Sequence, residues 1–200
     1  MTELSLFTGA GGGVLASRML GWSTIGYVEY DPYCQAVIRQ RIADGLLDAA
    51  PIFGDIRRFV SDGYAEAYSG MVDVVSGGFP CQPFSSEGKR LGELDPRNMW
   101  PATCDVLRAV QPKWAFFENV SWLLVSGYFD RVIGDISSLG YVSRWGCLSA
   151  AEVGARHIRN RLWILAYTNE TERNDKSYKR SIKKKHSFPC CNRANVPNRQ

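Results

Sequence analysis

Two histidines in 200 residues, and no Cys-x-x-Cys among the six cysteines (Cys34, Cys81, Cys104, Cys147, Cys190 and Cys191), leave too few ligands at metal-binding spacing, so no metal site is expected. There is no G-x-x-x-x-G-K-[ST] loop, which argues against a mononucleotide kinase. No apolar run is long enough to cross a bilayer, and "MTELSLFTGAGGG" lacks a basic n-region and a long apolar stretch. An intracellular, cytoplasmic protein without a membrane partner is therefore expected, its cysteines thiols rather than a disulfide framework. Internal repeats are also absent. What is present suits a packed core: 45% of residues are hydrophobic against 22% charged, enough for one α/β domain and against global disorder. Charge is distributed unevenly. Residues 1–167 carry 15 Lys+Arg and 17 Asp+Glu, whereas residues 168–200 carry 9 and 3. A basic tail invites nucleic acid, although a solvated end explains the charge equally well.

Apolar, β-branched runs alternate with helical patterns along the body. "ELSLF" (3–7), "TIGYVEY" (24–30), "APIFGDI" (50–56), "MVDVVSGG" (71–78), "WAFFENV" (114–120), "YVSRWGCLSA" (141–150) and "RLWILAY" (161–167) read as strands. Helices are predicted over 13–20, 32–47 (opened by Pro32), 99–110 and about 127–139. Strands spaced by helices imply an α/β fold: a mostly parallel, Rossmann-like sheet with helices on both faces. Ligands bind such sheets at the carboxyl ends of the strands, which predicts a rim formed by the loops after residues 7, 29, 55, 77 and 118. After Tyr167 the pattern collapses. Residues 1–167 are expected to form the catalytic domain, and 168–200 a basic, disordered tail or the start of a further region.

Three loops on this rim carry candidate ligand groups. "LFTGAGGG" places Gly9, Gly11, Gly12 and Gly13 between a strand and a helix, where the backbone can approach a ligand. An ordinary tight turn explains the glycines equally, because Val14 stands where the last glycine of G-x-G-x-x-G would be. Glu29 ends the second strand, 18 residues after Gly11, where an acid can accept hydrogen bonds from ribose hydroxyls. Asp55, in "FGDIRRF", ends the third. Taken together they favour a nucleoside site. A dinucleotide enzyme would need a nicotinamide site and a second domain, and neither is evident. S-adenosylmethionine fits better, since it needs ribose and adenine contacts but no phosphate-binding lysine.

The stretch "GGFPCQPFSS" (77–86) mounts Cys81 between Pro80 and Pro83 in a glycine-rich loop after the fourth strand. "FFENV" then sets Glu118 at the end of another strand, and "GARHIRNRLWILA" brings Arg159 and Arg161 into the last one. Singly these are an inert thiol, a solvated acid and a pair of salt-bridging arginines. Together, in this order and over residues 3–167, they resemble the DNA (cytosine-5) methyltransferases. The resemblance implies S-adenosylmethionine as cofactor, with Phe7, Gly9, Gly11, Gly12, Glu29, Asp55, Ile56, Pro80 and Trp100 around it; Trp100 could equally be a core aromatic. It implies that the Cys81 thiolate adds to cytosine C6 and makes C5 able to attack a methyl group. Glu118 would bind N3 and the exocyclic amine, Arg159 would hold the base, and Arg161 would support the loop or the acid. The target base must leave the duplex stack to be reached, at a cost of a few kcal/mol. Gln82, Ser85, Lys89 and Arg90 are the candidate DNA contacts, with a solvated loop as the alternative for the last three.

This sequence departs from the family pattern in three places. Ser5 stands where many members have aspartate, and His157 where the arginine motif usually has glutamine. Residues 168–200 are too short and too polar to hold both a target-recognition region and the final family segment. The chain is therefore expected to be a fragment, a truncated product or half of a split enzyme with a partner chain, weak in sequence-specific methylation alone. Competing expectations are a transfer-RNA cytosine-5 methyltransferase, a non-catalytic cofactor- or DNA-binding remnant, and a thiol-dependent redox or hydrolytic enzyme. The last lacks a paired cysteine or a plausible catalytic histidine.

Overall fold

A computed structural model describes residues 1–80 and 97–168. Seven strands form one sheet: β1 (Thr2–Leu6), β2 (Ser23–Val28), β3 (Ile52–Phe53), β4 (Val74–Gly77), β5 (Trp114–Val120), β6 (Tyr141–Ser149) and β7 (Asn160–Thr168). Their order is β3-β2-β1-β4-β5-β7-β6. The pairs β1–β2, β1–β4, β2–β3 and β4–β5 are parallel, and β6–β7 is antiparallel. Five α-helices lie among the described residues: α1 (Gly12–Met19), α2 (Pro32–Ala43), α3 (Ile56–Ser61), α4 (Trp100–Val110) and α5 (Tyr128–Ser138). None is long and apolar enough to cross a membrane.

The described residues fall into two compact units, 1–80 with 99–117, and 97–98 with 118–168. In the first, consecutive residues Glu3 to Leu6 of β1 are all buried, which requires cover on both faces of that strand. Val14, Tyr27, Ile38 and Leu47 pack into one cluster there, with Leu15, Ile42 and Ile52 against it. Glu3 is an acid buried in this core. Its carboxylate is 1% exposed and accepts hydrogen bonds from the hydroxyls of Ser17 (2.8 Å), Thr24 (2.9 Å) and Ser76 (2.5 Å), so the charged group is solvated by α1, β2 and β4. Nearby Tyr27 has its phenol pushed up to about 12, chiefly by burial and then by the charges of Asp48 and Glu3.

In the second unit, β7 alternates from Arg161 to Ala166. Leu162, Ile164 and Ala166 are buried, while Arg161, Trp163 and Leu165 are half-buried on the other face. Tyr141 pairs with Thr168 and Ser149 with Asn160 at the two ends of the β6–β7 ladder.

Most strands and helices match the sequence-based expectation within a few residues, with two physical differences. Strand β3 is only Ile52–Phe53, because Asp55 caps a new helix: its Oδ1 accepts from the N–H of Arg57 at 2.9 Å and Ile56 becomes the first residue of α3. Helix α2 stops at Ala43, because Gly45 (φ 71°) turns the chain and the N–H groups of Leu46 and Leu47 return to the Arg41 carbonyl.

Candidate active site

Unit by unit, the site begins at the carboxyl ends of β1 and β2. Between β1 and α1, three residues take left-handed backbone: Phe7 (φ 51°), Gly9 (φ 57°) and Gly11 (φ 85°). For Phe7 this conformation carries real strain, so its surroundings must fix it. They do so through Thr8, whose hydroxyl meets the Ser5 carbonyl and the Ser5 hydroxyl, each at 3.1 Å. Ser5 is thereby committed within the loop's own base.

Glu29 ties this loop to the next. One carboxylate oxygen accepts from the N–H of Gly9 at 2.6 Å and the other from the N–H of Asp31 at 2.8 Å. Asp31 in turn caps α2 by accepting from the N–H of Cys34 at 2.9 Å. Backbone pairing across β2 and β3 continues to the Glu29 N–H, which donates to the Phe53 carbonyl at 2.9 Å, so Glu29 and the Asp55 turn follow adjacent strand ends. The Arg57 guanidinium binds both oxygens of Asp55 and holds its carboxyl below the usual range. Tyr30, directly after Glu29, is 74% exposed. Sequence reading did not single it out; an aromatic following a strand-end acid was the available signal.

Gly12 and Gly13 open α1 without any side-chain cap, and both are exposed. A Cβ added at either would meet nothing within 4 Å, and neither needs a positive φ. Packing therefore does not demand glycine at these positions, unlike Gly77, where a Cβ would lie 2.7 Å from the Leu6 carbonyl oxygen. Bare amides at a helix N-terminus, with space above them and a buried acid alongside, fit a nucleoside cofactor bearing a carboxylate. Trp100 is 1% exposed and stacks with Phe79 and Phe117 at centroid distances of 4.9 and 5.7 Å, placing it in a core aromatic cluster immediately before Pro80.

The second unit carries the strand-end acid and the arginines. β5 alternates, with Ala115, Phe117 and Asn119 buried and Phe116, Glu118 and Val120 half-buried. Arg161, on the half-buried face of β7, sets its Nε 2.5 Å from a Glu118 oxygen, and its Nη1 donates to the Asn160 carbonyl at 2.8 Å. Glu118 is thus held by a partner that leaves it 31% exposed. Arg159 is exposed two residues earlier, and its carbonyl accepts from the Ala150 N–H at 3.2 Å. The turn carrying this segment is closed by a reciprocal pair. Ser149 N–H donates to Glu152 at 2.6 Å and Glu152 N–H donates back to the Ser149 hydroxyl at 3.2 Å, bonds that lower the Glu152 carboxyl. Cys81, Gln82, Ser85, Lys89 and Arg90 lie outside the described residues. Among the described residues, no group of three or more His, Cys, Asp or Glu is placed to hold a metal ion.

The family model of the C-5 cytosine-specific DNA methylases matches residues 1–195. The chain belongs to this family. Among its relatives, the type II methyltransferase M.NgoMIV of Neisseria gonorrhoeae is 33% identical over 172 residues, covering 84% of this chain and 52% of that protein. M.AquIA of Picosynechococcus sp. is 32% identical over 179 residues, covering 81% of this chain and 70% of the relative. The chain spans about half the length of the first curated relatives it matches: 52%, 40% and 46%. Solved structures with the same fold include a Spodoptera frugiperda DNMT2 variant (TM-score 0.68, 22% identity, 84% of this chain and 50% of that one). Schizosaccharomyces pombe Dnmt2 aligns with TM-score 0.67 at 22% identity, over 84% of this chain and 51% of that one. The methyl donor of the C-5 methylase family is S-adenosylmethionine.

Proposed function

We propose that this chain is the cofactor-binding and catalytic part of an intracellular DNA (cytosine-5) methyltransferase of the restriction-modification type. The observation that carries the reading is the Glu118–Arg161 pair at 2.5 Å, a half-exposed acid held ready at a strand end in a chain of this family. S-adenosylmethionine supplies an electrophilic methyl group when bound. Gly12 and Gly13 offer backbone amides to its carboxylate, Glu29 and Phe7 border its ribose, and Asp55 and Ile56 lie toward its adenine. Cys81, between its two prolines, gives a thiolate that bonds to cytosine C6, and the ring electrons then make C5 nucleophilic. Glu118, with a proton taken from solvent, passes it to N3 as negative charge develops on the ring and accepts a hydrogen bond from the exocyclic amine, and Arg161 fixes that carboxyl in place. Arg159 holds the O2 side of the flipped base. Methyl transfer would leave S-adenosylhomocysteine; a solvent base then takes the C5 proton, and the C5–H electron pair re-forms the C5–C6 double bond and expels Cys81 as thiolate. Gln82, Ser85, Lys89 and Arg90 contact the DNA strand in this scheme. Target recognition in this scheme is supplied by a partner chain.

Covalent trapping tests this. Duplex DNA carrying 5-fluorocytosine, incubated with S-adenosylmethionine and the protein, should hold wild type in a denaturant-stable adduct. Cys81→Ser should give none, and Glu118→Gln should form it at least about 100-fold more slowly, as expected for loss of a charged transition-state contact. An adduct that persists in Cys81→Ser overturns the nucleophile. Trapping on 5-fluorocytosine transfer RNA, but not on DNA, would overturn the substrate.

A further inference from the structure

The glycine loop is held from a second side, by a residue no motif singled out. Arg41, on α2, directs Nη1 to the Ala10 carbonyl at 2.5 Å. The other end of that same peptide, the Gly11 N–H, donates to the Thr8 carbonyl at 3.0 Å. Two peptides back, the Gly9 N–H is held by Glu29 at 2.6 Å. Two of the three peptide units spanning Thr8 to Gly11 are therefore clamped, one from β2 and one from α2. The Arg41 Nη1 also lies 3.6 Å from where a Gly11 Cβ would be, and Leu47 lies 3.1 Å from it, so the last turn of α2 and the segment after it floor the loop. Gly11 is the N-cap of α1, and its φ of 85° sets where the amides of Gly12 and Gly13 stand. A planar peptide rotates as a unit, so releasing the Ala10 carbonyl frees the Gly11 N–H and the helix entry with it.

We propose that Arg41 is a positioning residue for the cofactor: its guanidinium locks the Ala10–Gly11 peptide and thereby keeps the entry of α1 set for the methyl donor. The inference rests on the S-adenosylmethionine reading above. It does not depend on the fold of α2, because it is the Arg41 carbonyl, not the side chain, that accepts from Leu46 and Leu47 at the helix end.

Wild type, Arg41→Met and Arg41→Lys are compared in three measurements: amide exchange at Gly9 and Gly11 without ligand, calorimetric affinity for S-adenosylmethionine and S-adenosylhomocysteine, and melting temperature. A charged hydrogen bond to a carbonyl corresponds to at least roughly tenfold in an equilibrium. Arg41→Met should therefore raise Gly11 exchange and both dissociation constants about tenfold, with little change in melting temperature, and Arg41→Lys should fall between. Unchanged exchange in Arg41→Met overturns the clamp. Faster exchange with unchanged affinity overturns its role toward the cofactor. Wild type that binds neither ligand overturns the cofactor reading, and this inference with it. If Arg41→Met does not fold, Arg41→Lys decides alone, and wild-type exchange and affinity in it overturn the proposal.

Discussion

At the amino end of β1, Glu3 sits 1% exposed among three hydroxyls that come from α1, β2 and β4. Beyond the carboxyl ends of β1 and β2, Glu29 is 9% exposed and accepts instead from the main-chain N–H groups of Gly9 and Asp31. Both carboxylates are buried and satisfied by neutral donors, yet their roles differ. Side-chain donors from three elements make Glu3 a staple of the fold. Main-chain donors from two loops make Glu29 a device that shapes a surface, and a carboxylate oxygen with one donor can still accept another from a ligand. On the proposed reading the amino end serves stability and the carboxyl end binding, and substitutions should separate the two.

The largest effect is expected at the amino end. Glu3→Leu leaves the hydroxyls of Ser17, Thr24 and Ser76 without their acceptor, and should cost about 3 kcal/mol of unfolding free energy in urea titrations. Cofactor affinity per folded molecule should stay close to wild type; a selective loss of affinity would dissolve the contrast between the two ends. At the carboxyl end the converse holds. Gly12→Ala, at a compatible φ and in open space, should change stability by less than about 1 kcal/mol, and upward if at all. It should weaken S-adenosylmethionine binding at least about tenfold by filling the space over the amides, and calorimetry showing intact affinity would place the cofactor elsewhere.

The smallest effect concerns acid. Asp73 accepts from the Thr2 N–H at 2.9 Å and from Lys113 at 3.2 Å, and the Thr2 bond leads in holding its carboxyl below the usual value. A depressed carboxyl stabilises the fold fully above its unfolded value of about 3.9, and that contribution disappears as pH falls through the lower folded value. Asp73→Asn should therefore lie below wild type at pH 6, with the gap closing toward pH 3. A gap that stays constant would remove the charge from the explanation.

The sequence showed β5 at its final boundaries, because "WAFFENV" is a short, aromatic-rich apolar run with Pro112 shortly before it. The glycine loop, Glu29 and Glu118 were legible for the same kind of reason: each lies within a few residues of a strand end that hydrophobic patterning locates. α3 was missed although Asp55 before an Ile-Arg-Arg-Phe-Val run is a capping signal, since six residues give too few turns for a period to show. Arg41 and Glu3 could not have been found this way. Arg41 meets Ala10 across 31 residues and Glu3 meets Ser76 across 73, and no local pattern encodes either contact. Arg161 was visible as one of a pair, but residues two apart share a strand face, and only the ion pair in the folded structure shows that Arg161 meets Glu118.

The strand order has a consequence for the growing polypeptide. β1 pairs with β2 on one side, but its other edge waits for β4, with Thr2 and Asp73 separated by 71 residues. At ribosomal speeds of about 5–20 residues per second, that edge stays unpaired for roughly 4–14 s after it is made. During this interval the apolar Leu4 and Leu6 border an open row of N–H and C=O groups, which invites pairing with another nascent chain. Slower translation ahead of residue 74 should therefore lower soluble yield, and chaperone binding should peak on nascent chains that end before β4.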